Sequence, residues 1–199
     1  MRKGALVRNR IYLGVYMSTL SKEKGKELRE YIGDYTVFDL ETTGISTRKD
    51  KIIEISALKV RDHKPVDEFS RLVNPEKPIP YQASRVNHIT DEMVAQQPVI
   101  DEVMGEFLAF VGDDVLIGQN IKQFDMEFIY RECKRIYDGL IPGNDVIDTC
   151  LISRVLLPGM KHNLAALCAH YHIPVVNAHR ALADSRMTMQ VYECLGKEL

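Results

Sequence analysis

Tyr35-Thr36-Val37-Phe38-Asp39-Leu40-Glu41-Thr42-Thr43-Gly44 is a run of β-branched, aromatic and apolar residues that carries two carboxylates near its end and stops at a glycine. Such a run reads as a β-strand, and side chains alternate across a strand, so Asp39 and Glu41 point to one face. Val37 lies on that face too, which puts the two acids at the edge of a buried region. Unpaired charge is costly there, and two carboxylates side by side repel each other. A hard divalent cation bound through oxygen resolves the conflict. The pattern alone also fits a pair of solvated acids at the end of a strand.

Outward from this strand, Lys51 to Val60 and Val66 to Val73 form two further strand-like runs, separated by the turn signal Asp62-His63-Lys64-Pro65. So short a connection predicts an antiparallel hairpin. Pro75, Pro78 and Pro80 mark a loop, after which Thr90 is placed to cap a short helix running to Ala95. Beyond Pro98, Ile100, Val103, Phe107, Phe110 and Val111 recur at helical spacing and predict a helix packed on the sheet. A strand over Val115–Gln119, a helix over Phe124–Tyr137, a short strand over Val146–Asp148 and three final helices complete the pattern. The last helix is expected from about Arg180 to Leu195. Antiparallel strands followed by strand–helix units predict one α/β domain with a mixed sheet flanked by helices.

The chain has 199 residues, of which 45% are hydrophobic and 27% charged, ordinary proportions for a globular domain. Its formal net charge of −2 leaves no overall basic footprint of the kind that drives stable coating of nucleic acid. Cys133, Cys150, Cys168 and Cys194 are scattered, with no Cys-x-x-Cys pair, and read as reduced core residues of a cytoplasmic protein. Arg8 and Arg10 interrupt any apolar run near the N-terminus, so neither export nor a membrane span is expected. Residues 1–33 read as an N-terminal extension, a basic tail followed by a short helix in the polar stretch after Met17. Residues 34–199 read as the functional domain.

In the last helix Asp184, Met187, Val191 and Cys194 fall on one stripe, which turns Asp184 inward. A buried acid needs a partner, either a metal ion or a basic side chain. His179 lies five residues earlier, at the junction of loop and helix. Near a metal-bound phosphate, an imidazole in that place is a candidate general base. Asp125 opens its helix, where the helix dipole alone would favour an acid. Asp148 is best read as the N-cap of the helix that begins near Thr149.

Taken together and in order, Asp39-x-Glu41, Asp125 and His179-x-x-x-x-Asp184 resemble the DEDDh family of 3′→5′ exonucleases, which includes the proofreading epsilon subunit of bacterial DNA polymerase III. FDLETTG at residues 38–44, FD at 124–125 and HRALAD at 179–184 stand where that family's motifs stand, and Val86-Asn87-His88-Ile89-Thr90 is similar to its substrate-side loop. The likeness runs from about residue 34 to 195. Two features depart from the family pattern. Gln119 stands where a His is usual, with one extra residue between Asn120 and Phe124. No segment resembles the clamp-binding and polymerase-binding tail of the epsilon subunit, so a stand-alone enzyme is expected.

The resemblance implies an RNase H-like fold, a mixed five-stranded sheet with its first three strands antiparallel and a carboxylate cluster at its centre. It implies two Mg²⁺ or Mn²⁺ ions, typically about 3.5–4 Å apart, with Asp39 shared between them, Glu41 and Asp184 completing one site and Asp125 the other. His179 would take the proton from the attacking water and the products would be nucleoside 5′-monophosphates. Thr42, Thr43, Gly44 and Asn87 would cradle the terminal nucleotide, with Ile45, Val86 and Phe124 offering apolar surface to the last bases. The expected partners are DNA 3′ ends, single-stranded or frayed. RNA 3′ ends are the alternative within the family, and a non-catalytic nucleic-acid-binding module is the alternative outside it.

Overall fold

The computed structural model describes residues 19–199. The expected basic tail, residues 1–16, lies outside that range. Within the described residues eight strands run in chain order: β1 (Leu20–Ser21), β2 (Glu27–Leu28), β3 (Tyr35–Thr42), β4 (Ile52–Arg61), β5 (Lys64–Leu72), β6 (Leu116–Gly118), β7 (Ile141–Pro142) and β8 (Val146–Asp148). Among the described residues seven helices accompany them: α1 (Tyr81–Asn87), α2 (Asp91–Val94), α3 (Ile100–Val111), α4 (Asp125–Ile136), α5 (Thr149–Leu156), α6 (Leu164–His170) and α7 (Ala181–Gly196).

Six strands form one mixed sheet in the order β2-β8-β6-β3-β4-β5. β3, β4 and β5 are antiparallel, as expected, whereas β6, β8 and β2 run parallel to β3 through successive neighbours. Asp62 and His63 both adopt positive φ, 48° and 59°, which gives the two-residue hairpin turn the twist that matches its strands. Pro65 is tolerated because β5 is an edge strand.

Side-chain alternation along β3 divides the interior into two cores. Phe38 and Leu40 face α3 and α4, packing with Phe107, Leu108, Phe128 and Ile129. Tyr35 and Val37 face α7, packing with Met187, Val191, Tyr192 and Leu195. At about 25 cal/mol per Å² of buried apolar area, these two layers supply the main drive to fold. Asp39 and Glu41 continue the α7-facing side of β3 beyond its apolar part.

The segment before residue 34 departs from expectation. Among residues 19–33 there is no helix; β1 pairs with β7 and β2 adds a sixth strand beside β8, where five were expected. Lys and Glu favour helix here only weakly, and tertiary pairing overrides them. Lys26 donates its N–H to Asp145 Oδ1 at 2.7 Å, and Val146 donates to the Lys26 carbonyl at 2.8 Å. A Cβ on Gly25 would stand 1.9 Å from the Asn144 carbonyl oxygen, so only glycine allows this approach. α1 was also hidden in the sequence, which reads as a proline-marked loop. Pro80 ends that loop and starts the helix, its carbonyl accepting from Ala83 and Ser84.

Candidate active site

β3 and β6 are parallel, so both end on the same side of the sheet, and the N-terminus of α7 comes down onto the α7-facing side of β3. Asp39 and Glu41 come from the end of β3, Asp184 from the first turn of α7, and Asp125 from the start of the helix that follows β6. Carboxylate oxygens of Asp39, Glu41 and Asp184 all lie within 4.8 Å of one another. No Lys or Arg makes an ion pair with these three acids or with Asp125 among the described residues.

Burial and mutual repulsion both act against their ionisation. Asp39 is held well above the usual carboxylate range, chiefly by burial and then by Asp125, Asp184 and Glu41. Burial pushes Glu41 up to about 8, with Asp184 and Glu54 adding to it. Asp125, only 3% exposed, is likewise pushed up to about 8 by burial. Burial also raises Asp184, partly offset by the backbone N–H of His179. Acids this close together, Glu41 and Asp125 buried and Asp39 and Asp184 half-buried, are poised to exchange protons for a cation.

Asp125 stands slightly apart. Its Oδ1 accepts the N–H of Leu40 at 3.2 Å, so it is tied to β3 between the two acids of that strand. His179 is exposed, with φ at 65°, in the left-handed region that costs energy for any residue with a Cβ. Its N–H donates to Asp184 Oδ2 at 3.2 Å, which joins the His to the cluster through the backbone. Asp148 is the expected N-cap: its side chain accepts from Cys150 N–H and Asn120 N–H, both at 2.9 Å.

Most of the expected substrate residues already have internal partners. Thr43 Oγ1 donates to Asp50 at 3.0 Å, Thr42 Oγ1 donates to the Gly44 carbonyl at 2.8 Å, and a Cβ on Gly44 would stand 2.6 Å from Asp50 Oδ2. Asp50 thereby folds the loop after β3 tightly. Asn87 is buried; its Oδ1 accepts from Ile89 N–H and its Nδ2 donates to the Thr42 carbonyl at 3.4 Å. Val86 and Asn87 belong to the end of α1 and His88 is its left-handed cap, so the expected substrate-side loop is half helix. Phe124 is half-buried against Phe128, while Ile45 is 89% exposed and Val86 is exposed too. Gln119, the residue that departs from the family pattern, donates to the His162 carbonyl at 2.6 Å and accepts from Thr149 Oγ1 at 2.5 Å.

Sequence reading missed Glu54. It is only 2% exposed, faces Glu41 across β3 and β4, and accepts both Nε and an Nη of Arg180 at 3.1 and 2.8 Å. The signal was present as a lone carboxylate inside Ile52-Ile53-Glu54-Ile55.

A mixed sheet with a half-buried carboxylate cluster at the end of its central strand, without ion-pair partners among the described residues, and a histidine at its margin agree with the resemblance to the DEDDh exonucleases. Residues 36–192 match the family RNase_T, described as exonuclease, and the chain belongs to that family. The chain is 40% identical over 167 residues to the PolC-type DNA polymerase III of Clostridium perfringens, and 39% identical over 156 residues to that of Halalkalibacterium halodurans, covering 83% and 78% of this chain. The chain spans 11% of the length of each of these relatives. Among solved structures, exonuclease X in complex with 5′ overhanging duplex DNA superposes with a TM-score of 0.66 at 29% identity, covering 82% of this chain and 91% of that one. E. coli exonuclease I in complex with a dT13 oligonucleotide shares the fold, with a TM-score of 0.70 at 17% identity over 82% of this chain and 41% of that one.

Proposed function

We propose that the chain is a metal-dependent 3′→5′ exonuclease that releases nucleoside 5′-monophosphates from DNA 3′ ends, single-stranded or frayed. The observation that carries this reading is the meeting of Asp39, Glu41 and Asp184 oxygens within 4.8 Å, with burial raising all three carboxyls. The donor set is all oxygen, which suits Mg²⁺ or Mn²⁺ and not zinc. When bound, two such ions would supply positive charge at the scissile phosphate and make water easier to deprotonate.

The chain's own residues do the rest. Asp39, Glu41 and Asp184 hold cations, and Asp125, tied to Leu40, completes the cluster from the other side of β3. His179 accepts the proton of the attacking water. The backbone around Thr42, Thr43 and Gly44, braced by Asp50 and Asn87, receives the terminal nucleotide, while Ile45, Val86 and Phe124 offer apolar surface to its base. Exonuclease X, whose structure holds a 5′ overhanging duplex, supports DNA as the substrate. All five catalytic candidates lie within the chain, which supports activity without a further subunit. Four free cysteines, three of them buried, agree with a cytoplasmic setting, and no helix among the described residues is long and apolar enough to cross a membrane.

The test uses the purified chain with matched DNA and RNA strands labelled at either end, with Mg²⁺, with Mn²⁺ and with excess chelator. Mononucleotides should leave from the 3′ end of DNA only when metal is present. Hydrolysis that survives chelation sinks the metal mechanism, and faster release from RNA moves the substrate to RNA.

A further inference from the structure

Glu54 is an anomaly that the reaction as drawn does not use. It is almost fully buried beside four acids that already repel one another, and its charge raises Asp39, Glu41 and Asp184 further. A buried carboxylate in such company is retained only with a strong partner. Arg180 supplies it with a forked pair of hydrogen bonds, while Glu54 Oε2 also accepts the N–H of Ala181 at 3.1 Å. Glu54 therefore closes the first turn of α7, whose N-cap residue, Arg180, makes no side-chain cap of its own.

Three consecutive residues are thus fastened: His179 through its N–H to Asp184, Arg180 through its side chain to Glu54, and Ala181 through its N–H to Glu54. His179 is the one with positive φ, a conformation that persists only where its surroundings hold it. Since Glu54 lies opposite Glu41 in the strand register, the same carboxylate ties the junction carrying His179 and Asp184 to the strand pair carrying Asp39 and Glu41. Resting on the exonuclease reading above, we infer that Glu54 and Arg180 are positioning residues, a buried ion pair that sets where the His179 imidazole stands relative to the acid cluster without touching the substrate or binding the metal.

The test compares wild type with Glu54→Gln, Arg180→Lys and Arg180→Met. The amide introduced by Glu54→Gln can still accept from Ala181 but leaves the guanidinium without its charge partner, and Arg180→Lys keeps the positive charge without the fork. Misplacing a reacting group by about 1 Å can cost on the order of 10²-fold, so kcat in Glu54→Gln should fall about 10- to 100-fold. KM should stay within about twofold, because ground-state binding is untouched. Arg180→Lys should fall between wild type and Arg180→Met. Mn²⁺ affinity by calorimetry should stay far closer to wild type than that of Asp184→Ala, changed only by the loss of one neighbouring charge. Independently of turnover, the NMR signal of the His179 ring in the metal-free protein, assigned by its loss in His179→Asn, should shift in Glu54→Gln and in Arg180→Met alike.

If kcat and the His179 signal stay as in wild type while only the melting temperature falls, the pair is a fold clamp and the inference is wrong. If Glu54→Gln loses Mn²⁺ affinity as Asp184→Ala does, Glu54 is a ligand and the inference is equally wrong. An inactive wild type would sink the proposed function instead, and the His179 signal would still decide the positioning role. Should Glu54→Gln fail to fold, Arg180→Lys carries the same comparison.

Discussion

The two ends of β3 treat carboxylates in opposite ways. Near its start, Asp114 receives Thr36 Oγ1 at 2.6 Å and pairs with Arg61 and Lys59, while Glu193 accepts the hydroxyls of Tyr31 and Tyr35 and faces His63 Nδ1 at 3.2 Å. At its other end Asp39, Glu41 and Asp184 crowd together, and among the described residues no Lys or Arg is paired to them. Glu132 on α4 follows the first pattern, buried between Arg131 and Arg135. Asp114, Glu193 and Glu132 each have a basic side chain or a hydroxyl donor beside them, whereas Asp39, Glu41 and Asp184 have no ion-pair partner among the described residues. That asymmetry, more than burial itself, marks the site.

The largest expected effect breaks the unpaired end. Asp39→Ala removes the acid that feels all the others, so it should cost several kcal/mol of transition-state stabilisation, on the order of 10⁴-fold in kcat. The metal-free variant should melt higher than wild type, by roughly 2–4 °C for each kcal/mol of repulsion relieved. Steady-state kinetics and a calorimetric melt without metal check both halves. Near-normal turnover, or a lower melting temperature, would show that Asp39 belongs to the paired, structural kind.

His179→Ala should have the next largest effect. It leaves every carboxylate in place, and general-base catalysis is worth about 10²–10⁴-fold, so kcat should fall by that order while metal affinity and KM hold. A variant with the same kcat at saturating Mg²⁺ would leave deprotonation of the water to another group.

Much of this was legible beforehand because it depends on local periodicity. The two-residue repeat along Tyr35–Thr42 put Asp39 and Glu41 on one face, and the stripe Asp184–Met187–Val191 turned Asp184 inward; Met187 and Val191 are indeed buried against β3. Asp148 as an N-cap was readable for the same reason. What could not be read depends on partners distant in sequence. Glu54 and Arg180 are 126 positions apart, and Glu54 looks like a defect in a strand until α7 is docked. β2 is two residues long and exists only because β8 offers it an edge, so helix-favouring residues concealed it. α1 was obscured by prolines that mark a loop and also start a helix.

pH gives a subtler contrast between the two ends. Glu41 and Asp125 have folded values of about 8, above those of the unfolded chain. Between about pH 4 and 8 the folded state therefore holds protons that the unfolded chain has released. Their contribution to stability is fully present below the unfolded values and is lost as pH rises through the folded ones. Without metal, denaturant midpoints should fall from pH 6 to pH 8. Saturating Mg²⁺ should flatten that slope, since a cation replaces the protons, and metal binding near neutral pH should release protons measurable by calorimetry in buffers of different ionisation enthalpy. A slope unaffected by Mg²⁺ would separate the raised carboxyls from the metal.

The smallest expected effect lies at the paired end and tests the other half of the contrast. Glu193 receives Tyr35 OH at Oε1, 2.5 Å away, and Tyr31 OH at Oε2, 2.6 Å away. It thereby joins the chain before β3 and the first residue of that strand to the last helix. Glu193→Gln keeps the volume and one acceptor oxygen but replaces the other with a donor, so one tyrosine must turn its hydroxyl and the charge-assisted character of both bonds is lost. A hydrogen bond to a charged group contributes about 1.5–3 kcal/mol and a neutral one about 1 kcal/mol. Partial solvent exposure of Glu193 reduces the difference, and a loss near 1 kcal/mol corresponds to roughly 2–4 °C for a chain of this size. Burial together with Glu193 holds the Tyr35 hydroxyl well above its ordinary range, so it stays a donor at all working pH and its reorientation is the only adjustment open to it. Turnover should remain within about twofold, because the site at the other end of β3 keeps all its groups. A variant that melts as wild type does, or one that loses activity without losing stability, would show that the two ends of the strand are not divided between holding the fold and serving the reaction.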